Sequence, residues 1–335
     1  MKIVIDAYGG DNAPYEIVKG AVLSVNENKD LTIVLVGKQQ EIENILKEFK
    51  YNQSQIEVIN ASDVISNDES PTTAIRTKKD SSLVVAFDKM KENNYDGLIS
   101  AGSTGAILTG AILKIGRIKG VSRPAMCPIL PTTKGTPVCI CDCGANMDCK
   151  PVNLCHFAIM ASEYLKATMN VENPRVAILN VGAEDHKGNE LVKQTFPLLK
   201  ELPINFVGSI EARDLLSGDY DVVVCDGFAG NVLLKSTEGT VVTVLKMLKK
   251  EIKSKFRYKI GALLMKPAFK GLRAKLDYTS YGGSPFIGCK KIVIKAHGTS
   301  KAENIRECVN QVIKLSKCET NDIIEEKLSK INIEV

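Results

Sequence analysis

Tryptophan is absent and aromatic side chains make up only 5% of the 335 residues. Interleaved aromatics for stacking on bases are therefore thin, and no nucleic-acid motif is present, which sets nucleic acid last among possible partners. No apolar run approaches the roughly 20 residues of a membrane-spanning helix. The MKIVIDAYGG start carries one lysine and an apolar stretch too short for a signal peptide. Together these absences predict a soluble, internally retained protein. Several signatures are missing as well. There is no GxxxxGK followed by Ser or Thr, which excludes a P-loop motif, and no GxGxxG after a strand, which weakens a nicotinamide reading. Neither a GxSxG elbow nor an HExxH pair occurs.

Cysteine is not scarce: ten are present, five of them at Cys139, Cys141, Cys143, Cys149 and Cys155. PVCICDCG reads as a strand that sets Cys139, Cys141 and Cys143 on one face at steps of roughly 6.6 Å. Zinc holds each sulfur at about 2.3 Å, which three collinear strand residues do not satisfy. The expectation is buried free thiols acting as small hydrophobes, and no metal.

The chain is long enough for one large domain or two lobes around a crevice. Short β-branched runs recur at 2–6, 31–36, 56–59, 96–100, 137–142, 175–181, 204–207, 221–226 and 291–296. Most are continuously apolar, as suits strands covered on both faces. Helical stretches alternate with them at 15–27, 41–49, 103–118, 152–166 and 304–317. This alternation predicts a large doubly wound α/β protein with a mostly parallel sheet, a single unit over 1–335 with room for two lobes.

Six strand ends open into Gly, Asn, Asp, Ser or Thr. They are Asp6-Ala-Tyr-Gly9-Gly10-Asp11, Ser100-Ala-Gly-Ser103-Thr104-Gly105, Asp142-Cys-Gly-Ala-Asn146, Gly182 to Asn189 through Lys187, Asp226-Gly-Phe-Ala-Gly230-Asn231, and His297-Gly-Thr-Ser300. Tight βα turns use such residues anyway, but a parallel sheet gathers its strand ends on one ligand-binding edge. Ser103-Thr104-Gly105 and Gly230-Asn231 are expected to start helices, whose free N–H groups favour an anion. Lys187, Arg123, Arg213 and His297 add positive charge. Phosphate or a carboxylate is the expected guest.

Between Lys246 and Lys275 stand nine Lys and two Arg against Glu251 alone, a net of +10, so the rest of this +5 chain carries −5. Leu245, Leu248, Ile252 and Phe256 repeat at helical spacing, and Met265, Phe269, Leu272 and Leu276 follow. An apolar join, Ile260 to Met265, separates the two basic amphipathic segments. The stretch 238–278 is read as an arm that contacts a dimer partner. Its tip, with Leu263, Leu264, Met265, Lys266, Lys270 and Arg273, touches an anionic membrane surface.

The strand-end blocks carry a resemblance. MKIVIDAYGGDNAP, ISAGSTGAILTGA (99–111), SRPAMCPILPT (122–132), DCGANMDCKP (142–151) and LNVGAEDHKGNEL (179–191) are among them. NFVGSIEARDL (205–215), VVCDGFAGNVLLKSTEG (223–239), LDYTSYGGSPFIG (276–288) and KAHGTS (295–300) complete the set. Over nearly its whole length the chain resembles the bacterial phosphate acyltransferases, the acyl–acyl carrier protein:phosphate transacylases (PlsX family). It departs from their usual pattern at Tyr8, Cys143, Ser209 and Ala212.

The resemblance implies transfer of a fatty acyl group from acyl carrier protein to inorganic phosphate, giving acyl phosphate for a membrane glycerol-3-phosphate acyltransferase in phospholipid synthesis. It also implies a fold similar to phosphate acetyltransferases and isopropylmalate dehydrogenases, and a homodimer without metal or redox cofactor, cytoplasmic and peripherally membrane-associated. Phosphate is already an anionic nucleophile, so the site has to position it and stabilise an oxyanion. Lys187 is the first candidate for that work, Asn231 and Asn189 are candidate oxyanion donors, and His297 is a candidate proton donor to the leaving thiolate. Ser103, Thr104, Gly105 and Gly230 are candidate phosphate binders. Asp6, Gly9, Gly10, Asp11, Asp142, Asn146 and Asp226 are expected to support the loops. Cys225 offers a covalent alternative. Other readings are a coenzyme A-dependent phosphate acetyl- or butyryltransferase, a membrane-recruited scaffold without chemistry, and, by fold analogy alone, a nicotinamide dehydrogenase.

Overall fold

A computed structural model describes residues 1–92, 94–276 and 281–331, without the side chains at 273 and 274. Arg273's side chain, positions 277–278 of the arm and part of the LDYTSYGGSPFIG block lie outside the described residues.

Strands β1 (Lys2–Asp6), β2 (Thr32–Gly37), β3 (Ile56–Asn60) and β4 (Gly97–Ser100) come from the first four β-branched runs. The next are β5 (Ala125–Met126), β6 (Ile129–Pro131), β7 (Pro137–Cys141), β8 (Arg175–Asn180), β9 (Asn205–Glu211) and β10 (Val222–Val224). A hairpin, β11 (Ser284–Ile287) and β12 (Ile292–Lys295), completes the set. Helices α1 (Tyr15–Glu27), α2 (Gln39–Leu46), α3 (Pro71–Thr77), α4 (Ser82–Met90) and α5 (Thr104–Gly110) belong to the first half. They are followed by α6 (Pro151–Met169), α7 (Glu190–Glu201), α8 (Gly227–Ser254), α9 (Phe256–Leu264), α10 (Lys266–Leu276), α11 (Ala302–Ser316) and α12 (Thr320–Ser329).

The mostly parallel strands divide into two sheets. One has the order β3-β2-β1-β4-β12-β11-β5 and the other β6-β7-β10-β8-β9. The chain passes to the second sheet between β5 and β6 and returns through β11, so β12 pairs in parallel with β4, Lys295 opposite Ser100. The strand pairs made by β11, β5 and β6 are antiparallel. Ile3, Val4, Ile5, Val34 and Leu35 are fully buried, as continuously apolar runs in a parallel sheet should be. One core spans both sheets, joining Val4, Val34 and Val293 to Val138, Ile140 and Val223.

The expected shared face of three cysteines does not form. Cys139 and Cys141 pack with α6, whereas Cys143 packs into the core between the sheets. Strand β7 ends at Cys141, so the two-residue alternation stops there.

Beyond Leu234, α8 has no buried residue, and α9 has none at all. A break at Lys255, in extended backbone, separates α8 from α9 inside the repeat that ran from Leu245 to Phe256. No helix among the described residues is long and apolar enough to cross a membrane.

Candidate active site

The six loops sort by sheet. Those after β1, β4 and β12 leave the first sheet, and those after β7, β8 and β10 leave the second. Buried carboxylates order each group. Asp6 accepts the Ser100 hydroxyl (2.7 Å) and the Tyr8 N–H (3.2 Å), and Ser100 accepts the Gly102 N–H. Burial pushes the Asp6 carboxyl above its ordinary range, against those hydrogen bonds. The Asp11 N–H donates to Gly298 O (2.8 Å), and the Asn12 carboxamide donates to Thr299 O, tying the β1 loop to the β12 loop.

In the second sheet Asp142 is fully buried and accepts from the backbone N–H of Met126, Cys143 and Asn146 and from the Asn146 carboxamide. Burial still pushes its carboxyl up to about 6. The Gly227 N–H donates to Asn146 O (2.7 Å), and the Asp226 side chain caps α8 by accepting the Ala229 N–H (2.8 Å). This cap moves the helix start upstream of the expected Gly230-Asn231: Gly230 closes the first turn and Asn231 opens the second. Gly230 is buried, and a Cβ there would stand 2.0 Å from Asp142 O. It is a packing residue, and the carbonyl it meets belongs to backbone that cannot yield. Gly230→Ala is expected to lower stability by at least the upper end of the roughly 1–3 kcal/mol typical of overpacking, read from the urea midpoint.

Between the two groups of loops lies a cavity of about 220 Å3. Its wall includes Thr104 from the first sheet, Gly144 and Asn231 from the second, Lys235 and Glu238 on α8, and Lys295, His297 and Ser300 at the end of β12. No group among the described residues hydrogen-bonds the Asn231 carboxamide, which lies beside Gly144. The His297 Nδ1 lies 2.9 Å from the Thr299 hydroxyl and 3.3 Å from the Thr299 N, and burial lowers the imidazole below its ordinary value. Lys235 and Glu238 pair at 2.8 Å. Lys295 is mostly buried, which pushes its ammonium down to about 8.

The remaining candidates lie elsewhere. Lys187, in the loop after β8, is exposed and ion-paired with Glu184 at 2.8 Å. Asn189 caps α7 by accepting the Val192 N–H, and with Asp226 it lines a neighbouring, more apolar cavity of about 270 Å3. The Asn180 carboxamide donates to Lys187 O and to the Ser209 hydroxyl, fixing that loop, and Gly188 (φ +110°) turns it where a side chain would meet Asn180. Ala212 lines the same second cavity. Ser103 is the N-cap of α5, and Gly105 packs against Pro71. Gly9 and Gly10 let the first loop approach the 100–102 backbone. Arg123 donates to Asp148 O, and Arg213 is exposed beside Glu211. Neither is on the first cavity's wall. Cys225 is buried, its thiol pushed well up and donating to Asp142 O.

An α/β protein with a cavity between two largely parallel sheets shares its fold with phosphotransacylases. The chain is similar to a phosphotransacetylase from Streptococcus pyogenes (TM-score 0.60, 17% identity, 95% of this chain and 94% of that one). It is also similar to a branched-chain phosphotransacylase from Enterococcus faecalis V583 (TM-score 0.58, 14% identity, 94% and 99%). A 4-hydroxythreonine-4-phosphate dehydrogenase from Klebsiella pneumoniae shares the fold more distantly (TM-score 0.53, 14% identity, 95% and 98%). Sequence goes further. A family model described as fatty acid synthesis protein matches residues 1–322. The phosphate acyltransferase of Clostridium acetobutylicum is 47% identical over 332 residues, 99% of this chain and 100% of the relative. That of Alkaliphilus oremlandii is 48% identical over 331 residues, 99% and 98%. The chain belongs to the phosphate acyltransferase family, and it is an acyltransferase.

Proposed function

We propose that this protein transfers a fatty acyl group from acyl carrier protein to inorganic phosphate, releasing acyl phosphate and the free carrier thiol. The observation that carries this reading is the cavity between the sheets, whose wall joins cationic side chains to a carboxamide without a hydrogen-bond partner among the described residues, in a phosphate acyltransferase chain. A phosphate oxygen attacks the thioester carbonyl, the C–O bond forms, the C–S bond breaks, and the thiolate leaves with a proton. The Asn231 carboxamide N–H and the His297 imidazole suit the developing oxyanion and the leaving thiolate. Lys187, in the loop after β8 and off this cavity's wall, is kept as a candidate through the family resemblance. Its ion pair with Glu184 is solvated and contributes little, so its ammonium is released to substrate at small cost. The buried Cys225 thiol lacks the low pKa a nucleophile needs, which favours direct attack by phosphate.

The basic arm supplies the protein's concentrated positive charge, suited to an acidic carrier protein and to anionic lipid, while its apolar residues suit a second copy of the chain. In this reading the protein is a cytoplasmic, peripherally membrane-bound homodimer. There it hands acyl phosphate to a membrane glycerol-3-phosphate acyltransferase.

The purified chain is expected to form acyl phosphate, trapped as the hydroxamate, from acyl carrier protein and inorganic phosphate. Turnover with acyl-coenzyme A is expected to be at least tenfold slower. Preference for coenzyme A would make it a phosphate acetyl- or butyryltransferase, and no product from either donor would leave a scaffold.

A further inference from the structure

Lys295 is the last residue of β12, paired with Ser100 at the end of β4. The two loops that diverge from this point bring Thr104, His297 and Ser300 to the cavity wall, and Lys295 lies between them on the same wall. An ammonium has three N–H donors. Two of them reach main-chain carbonyls, Ala296 O at 2.5 Å and Ala101 O at 3.5 Å. No ion pair joins Lys295 to a carboxylate among the described residues, whereas the exposed Lys235 and Lys187 are paired with Glu238 and Glu184. Burying a cation without a counter-charge is costly unless a ligand brings that charge.

We propose that the Lys295 ammonium seats inorganic phosphate in the cavity between the sheets. This assignment rests on the reading that phosphate is acylated there. A dianionic guest supplies the missing counter-charge and takes the third N–H. The cavity, about seven times the volume share of one water molecule, has room for it beside a reacting carbonyl.

Among the described residues, Lys235 and Glu238 on α8, Asp11 after β1, Tyr281 before β11, His297 after β12 and Cys308 on α11 are the other charged or titratable groups around it or on the cavity wall. Burial, reinforced by Lys235 and opposed by Cys308 and Asp11, holds the Lys295 ammonium at about 8. The Cys308 thiol is pushed up to about 12, and the His297 imidazole is held below its ordinary value. The ammonium is charged below pH 8 and neutral above it. Hence kcat/KM for phosphate is expected to fall up to tenfold per pH unit above about 8.

In Lys295→Met the KM for phosphate is expected to rise at least tenfold with the KM for the acyl donor within twofold of normal. Lys295→Arg, whose guanidinium stays charged, is expected to move the alkaline limb upward. A folded Lys295→Met with normal phosphate KM, alongside an Asn231→Ala that loses turnover, overturns the lysine assignment and leaves the cavity reading standing. Full activity in both variants overturns the two together. Should Lys295→Met not fold, acetic anhydride labelling of the unaltered protein at pH 8 decides. Inorganic phosphate, but not chloride of equal ionic strength, is expected to protect Lys295 in the mass spectrum, and no protection overturns the proposal.

Discussion

Asn231→Ala is expected to lower turnover by two to three decades while leaving the thermal unfolding midpoint within a few degrees. The magnitude is that of removing one preorganised oxyanion donor, about 10²–10³ in kcat. Asn231 sits in the second turn of α8, whose first turn is held by the Asp226 cap and by packing of Gly227 and Gly230 against Asp142 and Asn146. The carboxamide is thus presented by a rigid helix and does no structural hydrogen bonding among the described residues, which is why its removal should cost rate and not fold. Lys187→Ala is expected to fall on the same scale, since the Glu184 pair it leaves behind contributes little to stability. The measurement is steady-state acyl phosphate formation at saturating phosphate and acyl carrier protein. Near-normal turnover of folded Asn231→Ala would move the chemistry out of this cavity.

Much of the scaffold was legible because a doubly covered parallel strand must be apolar on both faces. Runs such as Lys2–Asp6 and Arg175–Asn180 therefore declare themselves. The partition into two sheets was not legible. It depends on β5, β6 and β11, strands of two to four residues that are too short to show a period. Candidate residues at strand ends were found from turn chemistry, but turn chemistry does not distinguish a ligand-facing glycine from one that receives a distant carbonyl. Gly230 is the second kind, through Asp142. Lys295 was missed because a lysine closing the run KIVIK reads as an ordinary strand-end residue. A signal was present all the same: it is the charge at the ligand-side end of a strand that carries His297 two residues on. Lys235 and Glu238 were hidden because only the coordinates show which face of α8 turns toward the cavity.

Replacing Leu263, Leu264 and Met265 together by serine is expected to leave only weak, salt-labile flotation with phosphatidylglycerol vesicles. These three are 71%, 79% and 53% exposed at the junction of α9 and α10, farther into solvent than most apolar side chains of the arm. Lys266 and Lys270 flank them and are exposed as well. Burying a leucine-sized side chain contributes about 1.5–3 kcal/mol, and each lysine or arginine near an anionic surface about 1 kcal/mol. Losing three apolar anchors thus lowers the partition constant by three decades or more, while charge alone leaves a weak attachment that salt removes. Because none of the three packs in the core, the unfolding midpoint should not move, so lost flotation reads membrane contact and not misfolding. Raising salt should release the unaltered protein only in part and the triple variant completely. Unchanged flotation of the variant would assign the apolar tip to the second copy of the chain and the membrane contact to the lysines.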